Sequence, residues 1–136
     1  MIVAVIDGQG GGIGKNLVEK IKGRYGAKVH VLALGTNAVA TSYMIRAGAD
    51  DGASGENAIV VNADRVDLIV GTVGIISANA RLGELTPAMA KAISSSPAKK
   101  ILIPLNRCNL MVTGVSAAGL PEHIEEILEQ IGKHLS

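Results

Sequence analysis

The chain has 136 residues, of which 48% are hydrophobic and 18% charged, so it can bury a sizeable core and is neither disordered nor fibrous. A net charge of +1 leaves no basic footprint for duplex DNA, and two tyrosines with no phenylalanine or tryptophan give no stacking platform for single strands. One cysteine, Cys108, rules out an internal disulfide framework and a structural zinc cluster; His30, His123 and His134 show no metal-ligand spacing.

Apolar runs of strand length alternate with segments of helical period. Residues 2–6 (IVAVI) are β-branched and end at Asp7-Gly8, as a buried strand does. Between Ile13 and Tyr25, the stripe Ile13, Leu17, Val18 and Ile21 predicts a helix that Gly26 stops. A strand over Val29–Leu34 follows, then a helix over Ala38–Ala47 ending at Gly48. Residues 49–54 hold a short strand, and Glu56 suits the first turn of a helix over Gly55–Arg65, capped by Ser54.

Val66–Val70 reads as a strand, with Ile75-Ile76 beyond it as an exposed apolar pair in a lid or subunit contact. Thr86-Pro87 opens a helix in the manner of an N-cap and N1, running to Ser95. Ile101–Ile103 is a strand and Met111–Val115 a short extra one. The closing helix starts at Leu120-Pro121-Glu122, with Ile124, Ile127, Leu128 and Ile131 inward. This rhythm predicts one Rossmann-like domain over 1–136: a three-layer α/β/α sandwich around a mainly parallel sheet of about five strands. No apolar stretch is long enough for a membrane span, and the opening run is too short for a signal peptide. The expectation is therefore a cytoplasmic protein without membrane or nucleic-acid partners.

The strongest chemical signal lies between the first strand and first helix: Asp7-Gly8-Gln9-Gly10-Gly11-Gly12-Ile13-Gly14-Lys15. Glycine lets a backbone approach a ligand closely, and a helix start presents unpaired N–H groups and a positive dipole end. Together they suit phosphate. The alternative is a tight turn that only packs the helix on the sheet, but five glycines in positions 8–14 exceed that need. Gly8, Gln9, Gly10, Gly11, Gly12, Ile13 and Gly14 are thus the candidate binding residues. A nucleotide or NAD(P) is the candidate cofactor, and a small phosphate-bearing molecule the candidate partner. Lys15 reads as a solvent-facing helix residue within reach of a phosphate.

The loop lacks the third glycine of G-x-G-x-x-G, because Ile13 stands there. Gly8-x-x-x-Gly12-Ile13-Gly14 is similar to the G-x-x-x-G-x-G turn of short-chain dehydrogenases, yet that family's Tyr-x-x-x-Lys pair is missing. Leu34-Gly35-Thr36-Asn37 also lacks the acid that holds a ribose hydroxyl in NAD enzymes, and no arginine lies beside it for NADP. A triphosphate loop G-x-x-x-x-G-K-[ST] fails at Gln9 and at Asn16.

Ligands in open α/β sheets lie outside the carboxyl ends of the strands. The polar residues predicted there are Asp7 and Gln9, Thr36 and Asn37, Thr72 and Ser77, and Asn106, Arg107, Cys108 and Asn109. Thr36, Asn37 and Asn106 are candidates to line the cleft. Asp7 can orient a hydroxyl, bind a metal or act as a base, or else bond the amides of its own loop. Glu56 is a second candidate acid or base, against the simpler role of helix-dipole partner. Arg107 can clamp an anion or sit in a polar turn, and Cys108 reads as a packing residue.

Taken together, IVAVIDGQGGGIGK, LGTNAVATSYMIRAGAD, GASGENAIVV, LGELTPAMAKAI and KKILIPLNRCN resemble an uncharacterised bacterial family of small Rossmann-like proteins, a domain of unknown function. That resemblance runs nearly the full length and implies the fold, with no activity attached. The layout is also similar to that of methylglyoxal synthase, with Gly35-Thr36-Asn37 standing for a phosphate-binding turn and Gly55-Glu56 for a Gly-Asp turn. Glu56 then replaces the catalytic aspartate, and the likeness implies a small phospho-metabolite. A ligand-sensing or assembly protein without chemistry, acting as a homo-oligomer, is the reading from another class.

Overall fold

The computed structural model describes residues 1–105, 109–115 and 118–136. Five parallel strands form one sheet: β1 (Ile2–Asp7), β2 (His30–Gly35), β3 (Asp51–Ser54), β4 (Leu68–Thr72) and β5 (Lys99–Ile103), in the order β3-β2-β1-β4-β5. Among the described residues, α1 (Gly12–Tyr25), α2 (Ala38–Arg46), α3 (Glu56–Asn62) and α4 (Pro87–Ser95) connect successive strands, and α5 (Leu120–Leu135) follows β5. This is the predicted Rossmann-like three-layer sandwich.

The pleat sorts the central strand. Val3 and Val5 point to one face and pack with Leu17, Val18 and Ile21 of α1, Met44 of α2 and Ile124, Ile127, Leu128 and Ile131 of α5. Ala4 and Ile6 point to the other, against Ile59 of α3 and Met89, Ala90 and Ile93 of α4. A strand buried on both faces has no reason to alternate polar and apolar residues, and β1 does not. Successive crossovers keep one hand, so helices change face where the chain reverses its direction across the sheet. That reversal falls between β1 and β4, which pair from Val3↔Leu68 to Val5↔Val70. A crevice opens at their carboxyl ends.

Several boundaries differ from the sequence reading for local reasons. β4 starts at Leu68, two residues later than expected. Val66 is buried in the core from the preceding turn, and the Asp67 amide already bonds the Ile2 carbonyl at 2.9 Å. α3 is shorter than Gly55–Arg65, since a turn from Asn62 to Arg65 ends it. Its N-cap is Gly55 at φ 96°, a left-handed conformation, while the Ser54 hydroxyl donates to Thr41 Oγ1 at 2.7 Å instead of capping. Thr86 does cap α4, accepting the Met89 amide at 3.2 Å.

Two expectations fail. Met111–Val115 forms turns rather than a strand, and its side chains are exposed. Ile75 and Ile76 are not an exposed pair either. They lie in a 3-10 turn over Val73–Ile76, where Ile75 is fully buried against the α4 side of the sheet and Ile76 faces out. Which of the two is covered is set by packing under α4, a contact distant in the sequence, and not by the apolar character they share. Among the described residues, no helix is long and apolar enough to cross a membrane.

Candidate functional site

Asp7 ends β1, and its carbonyl accepts the Thr36 amide at 2.9 Å, locking the turns after β1 and β2 together. Its side chain is 5% exposed and has both oxygens taken. Oδ1 accepts the Gly8 amide at 2.8 Å, and Oδ2 accepts the Gly14 amide at 2.6 Å, inside the first turn of α1. The N-cap position, Gly11, has no side chain to do this, so the carboxylate reaches across the loop and caps the helix. Arg81 Nη1 lies 3.2 Å from Oδ1, and Arg81 Nη2 donates to Thr72 Oγ1 at 3.2 Å. Asp7 therefore holds the loop, the helix and an arginine at once.

Three of the five loop glycines answer to the chain itself. A Cβ on Gly8 would come within 2.6 Å of Glu84 Oε1 and 2.7 Å of Arg81 Nη1. Gly11 sits at φ 70° with Ala40 Cα 2.9 Å from its missing Cβ, and Gly14 would strike Met44 Sδ at 2.7 Å. Gly10 and Gly12 are different: a Cβ on either meets nothing among the described residues within 4 Å, and neither has a positive φ. Both line a cavity of about 320 Å³ together with Gln9, Ile13 and Arg81. The amides of Gly10, Gly12 and Ile13 have no acceptor among the described residues. A second cavity of about 250 Å³ shares Gln9, Ile13 and Arg81 and extends over Thr72, Gly74, Leu82 and Leu105. The two adjoin at these three shared residues, beside the β1–β4 crevice.

Beside these cavities, lining neither, lies Glu84, carried on the loop between β4 and α4. Its Oε1 accepts the Gln9 amide at 2.6 Å, the Asn37 side-chain amide at 3.0 Å and the Thr36 hydroxyl. Burial pushes this carboxyl up, but the bonds from Gln9, Thr36 and Asn37 and the charge of Arg81 outweigh it and hold the group below its ordinary range. Asn37 also caps α2 through Oδ1, which accepts the Ala40 amide at 2.8 Å.

The candidate residues Asp7, Gly8, Gln9, Gly10, Gly11, Gly12, Ile13 and Gly14 thus come together with Thr36 and Asn37. However, the last two turn their side chains to Glu84 and line neither cavity. Gly55 donates to the Gly35 carbonyl at 2.9 Å and brings the two turns of the synthase-like layout side by side. The Glu56 side chain is exposed in the first turn of α3 and lines neither cavity. Lys15 is exposed on α1. Asn106, Arg107 and Cys108 lie outside the described residues.

Sequence reasoning missed Arg81 and Glu84. Their signal was available: two opposite charges in Arg81-Leu82-Gly83-Glu84, on the long connection that leaves the strand next to the first. Loops at a switch point are where ligand contacts concentrate.

The profile of one family, Domain of unknown function (DUF3842), matches residues 2–136. The chain belongs to this family. No curated protein and no solved structure matches it. As a DUF3842 member it has the α/β parallel-sheet fold described above, and the family carries no assigned reaction.

Proposed function

We propose that this DUF3842 protein binds a small phosphate-bearing molecule, with the phosphate against the backbone of residues 10–13. One observation carries the reading. Among the described residues, Gly10 and Gly12 have no steric or conformational reason to be glycine, yet both line the cleft beside amides that find no acceptor there. A ligand that approaches the backbone closely supplies the missing reason. Arg81 lines the same cavity with its guanidinium paired to Asp7 at 3.2 Å.

The geometry favours binding without acid-base chemistry at Asp7, because a carboxylate that already accepts two amides and faces a guanidinium is committed to structure. A sensor or carrier role fits this better than an enzyme with Asp7 as its base.

The test is a thermal-shift panel of AMP, ATP, GTP, NAD(H), NADP(H), sugar phosphates and small phospho-acids, followed by titration of any hit. A ligand at about 100 times its Kd adds about 2.7 kcal/mol, or about 10 °C for a chain of this length. Gly12→Ala then separates fold from function. It removes a helical glycine in open space, so the protein should melt at the same temperature or a few degrees higher, while affinity for the hit falls at least about tenfold. Unchanged affinity in both Gly12→Ala and Gly12→Val refutes the assignment.

A further inference from the structure

Three donors at the carboxyl ends of β1 and β2 converge on a single oxygen of Glu84: the Gln9 amide, the Thr36 hydroxyl and the Asn37 side-chain amide. Convergent donors at strand ends are what a parallel sheet ordinarily offers to a ligand. Here a residue 47 positions beyond Asn37 in the chain occupies them. It does so directly over Gly8, whose missing Cβ leaves the space that Glu84 Oε1 and Arg81 Nη1 fill. The open volume lies on the other side, over β1 and β4, in cavities of about 320 and 250 Å³. Pockets for drug-sized ligands span about 300–1,000 Å³, so each is at or below the small end of that range.

The loop that brings Glu84 there is held by side chains at both ends of its charged stretch. Arg81 is tied to Asp7 and Thr72, and Glu84 to the two turns. Asn79, Arg81 and Leu82 have φ values of 64°, 57° and 59°, a left-handed region that side chains disfavour; backbone bonds such as the Asn79 amide to the Leu85 carbonyl at 2.7 Å hold the turns beside the side-chain anchors.

We infer that Glu84 is a specificity-determining residue: its carboxylate stands where the second half of an extended ligand would lie, and it restricts the cleft to a compact ligand with a single phosphate group, such as a mononucleotide or a sugar monophosphate. A dinucleotide would have to lie over β2, where the donors are already saturated and a fixed negative charge faces it. Glu84 remains ionised under ordinary conditions, because the bonds it accepts outweigh its burial. This inference rests on the phosphate-binding reading above and adds the class of ligand.

The experiment compares AMP, ribose 5-phosphate and NAD by titration calorimetry on wild type, Glu84→Ala and Glu84→Gln, with circular dichroism to verify folding. A single-phosphate probe should bind wild type at least about tenfold more tightly than NAD, and Glu84→Ala should narrow that ratio at least about tenfold. Wild type binding NAD as tightly as the better monophosphate overturns the inference and leaves phosphate binding intact. So does a ratio that Glu84→Ala leaves unchanged. Failure of every phosphate probe to bind wild type sinks both. Limited trypsin digestion gives a ligand-free check. Arg81 has a side chain 15% exposed in wild type, and Glu84→Ala should release its loop and speed cleavage after Arg81 at least about tenfold. Equal cleavage rates in a folded Glu84→Ala protein remove the anchoring role and the inference with it. Glu84→Gln keeps the side-chain shape and one acceptor oxygen, so it should lie between wild type and Glu84→Ala in both assays.

Discussion

Replacing Asp7 with asparagine tests whether its carboxylate is structural. The side chain keeps its size but has only one acceptor oxygen for two amides, at 2.8 and 2.6 Å, and its new NH₂ must face an N–H donor. A hydrogen bond to a charged group contributes about 1.5–3 kcal/mol. Arg81 also loses its counter-charge, and its buried Nη1 has no hydrogen-bonded partner to fall back on among the described residues. Removing one member of a buried pair costs about 3–5 kcal/mol, and the two effects overlap because the same oxygen serves both. With side chains only 5% and 15% exposed, solvent screening removes little of this. The expected loss is about 3–5 kcal/mol out of a total near 5–15, or a melting point lower by about 10–18 °C. Circular dichroism of the helical band reads it, since there is no tryptophan. A cycle with Arg81→Met and the double variant should show a coupling of at least about 1 kcal/mol. An Asp7→Asn protein that melts within about 2 °C of wild type, or an additive cycle, would refute the structural assignment. It would return Asp7 to the list of chemical groups.

Acid should act partly through Glu84. A carboxyl held below its ordinary value of 4.5 stabilises the fold fully above that pH and progressively less as the pH falls through the lower folded value. Melting curves taken downward through 4.5 should show wild type losing stability faster than Glu84→Gln; parallel curves would exclude Glu84 from the acid response. Asp50 behaves in the same sense, because the Lys22 ammonium at 2.9 Å and the Val31 amide hold its carboxyl down. The paired isoleucines offer a packing check. Ile75→Ala should cost about 2–5 kcal/mol and Ile76→Ala less than about 1, by urea unfolding. Equal costs would contradict the burial of Ile75 beside an exposed Ile76.

Residues with strong local preferences were the legible ones. α1 and α5 carry their apolar stripes in the right period, and Thr86-Pro87 declares a helix start that the Met89 amide confirms. β2 is displaced by one residue from its expected span, and β5 begins two residues earlier than Ile101. Strand ends are set by what the neighbouring strand offers, as in Lys99 pairing with Leu68, and no local pattern contains that partner.

The sequence by itself determined the alternation of strands and helices, the parallel sheet that follows from it, and the glycine-rich turn after β1. Each depends on side-chain period or backbone conformation within a few neighbouring residues. Tertiary structure alone decided which glycines serve packing and which stand open. It also decided that Asp7 caps α1 and that Glu84, far along the chain, takes the donors of Gln9, Thr36 and Asn37. The reason is physical: electrostatic and steric contacts depend on distance in space, and the crossover that carries the chain from β3 back to β4 is what brings residues 81–84 over residue 8.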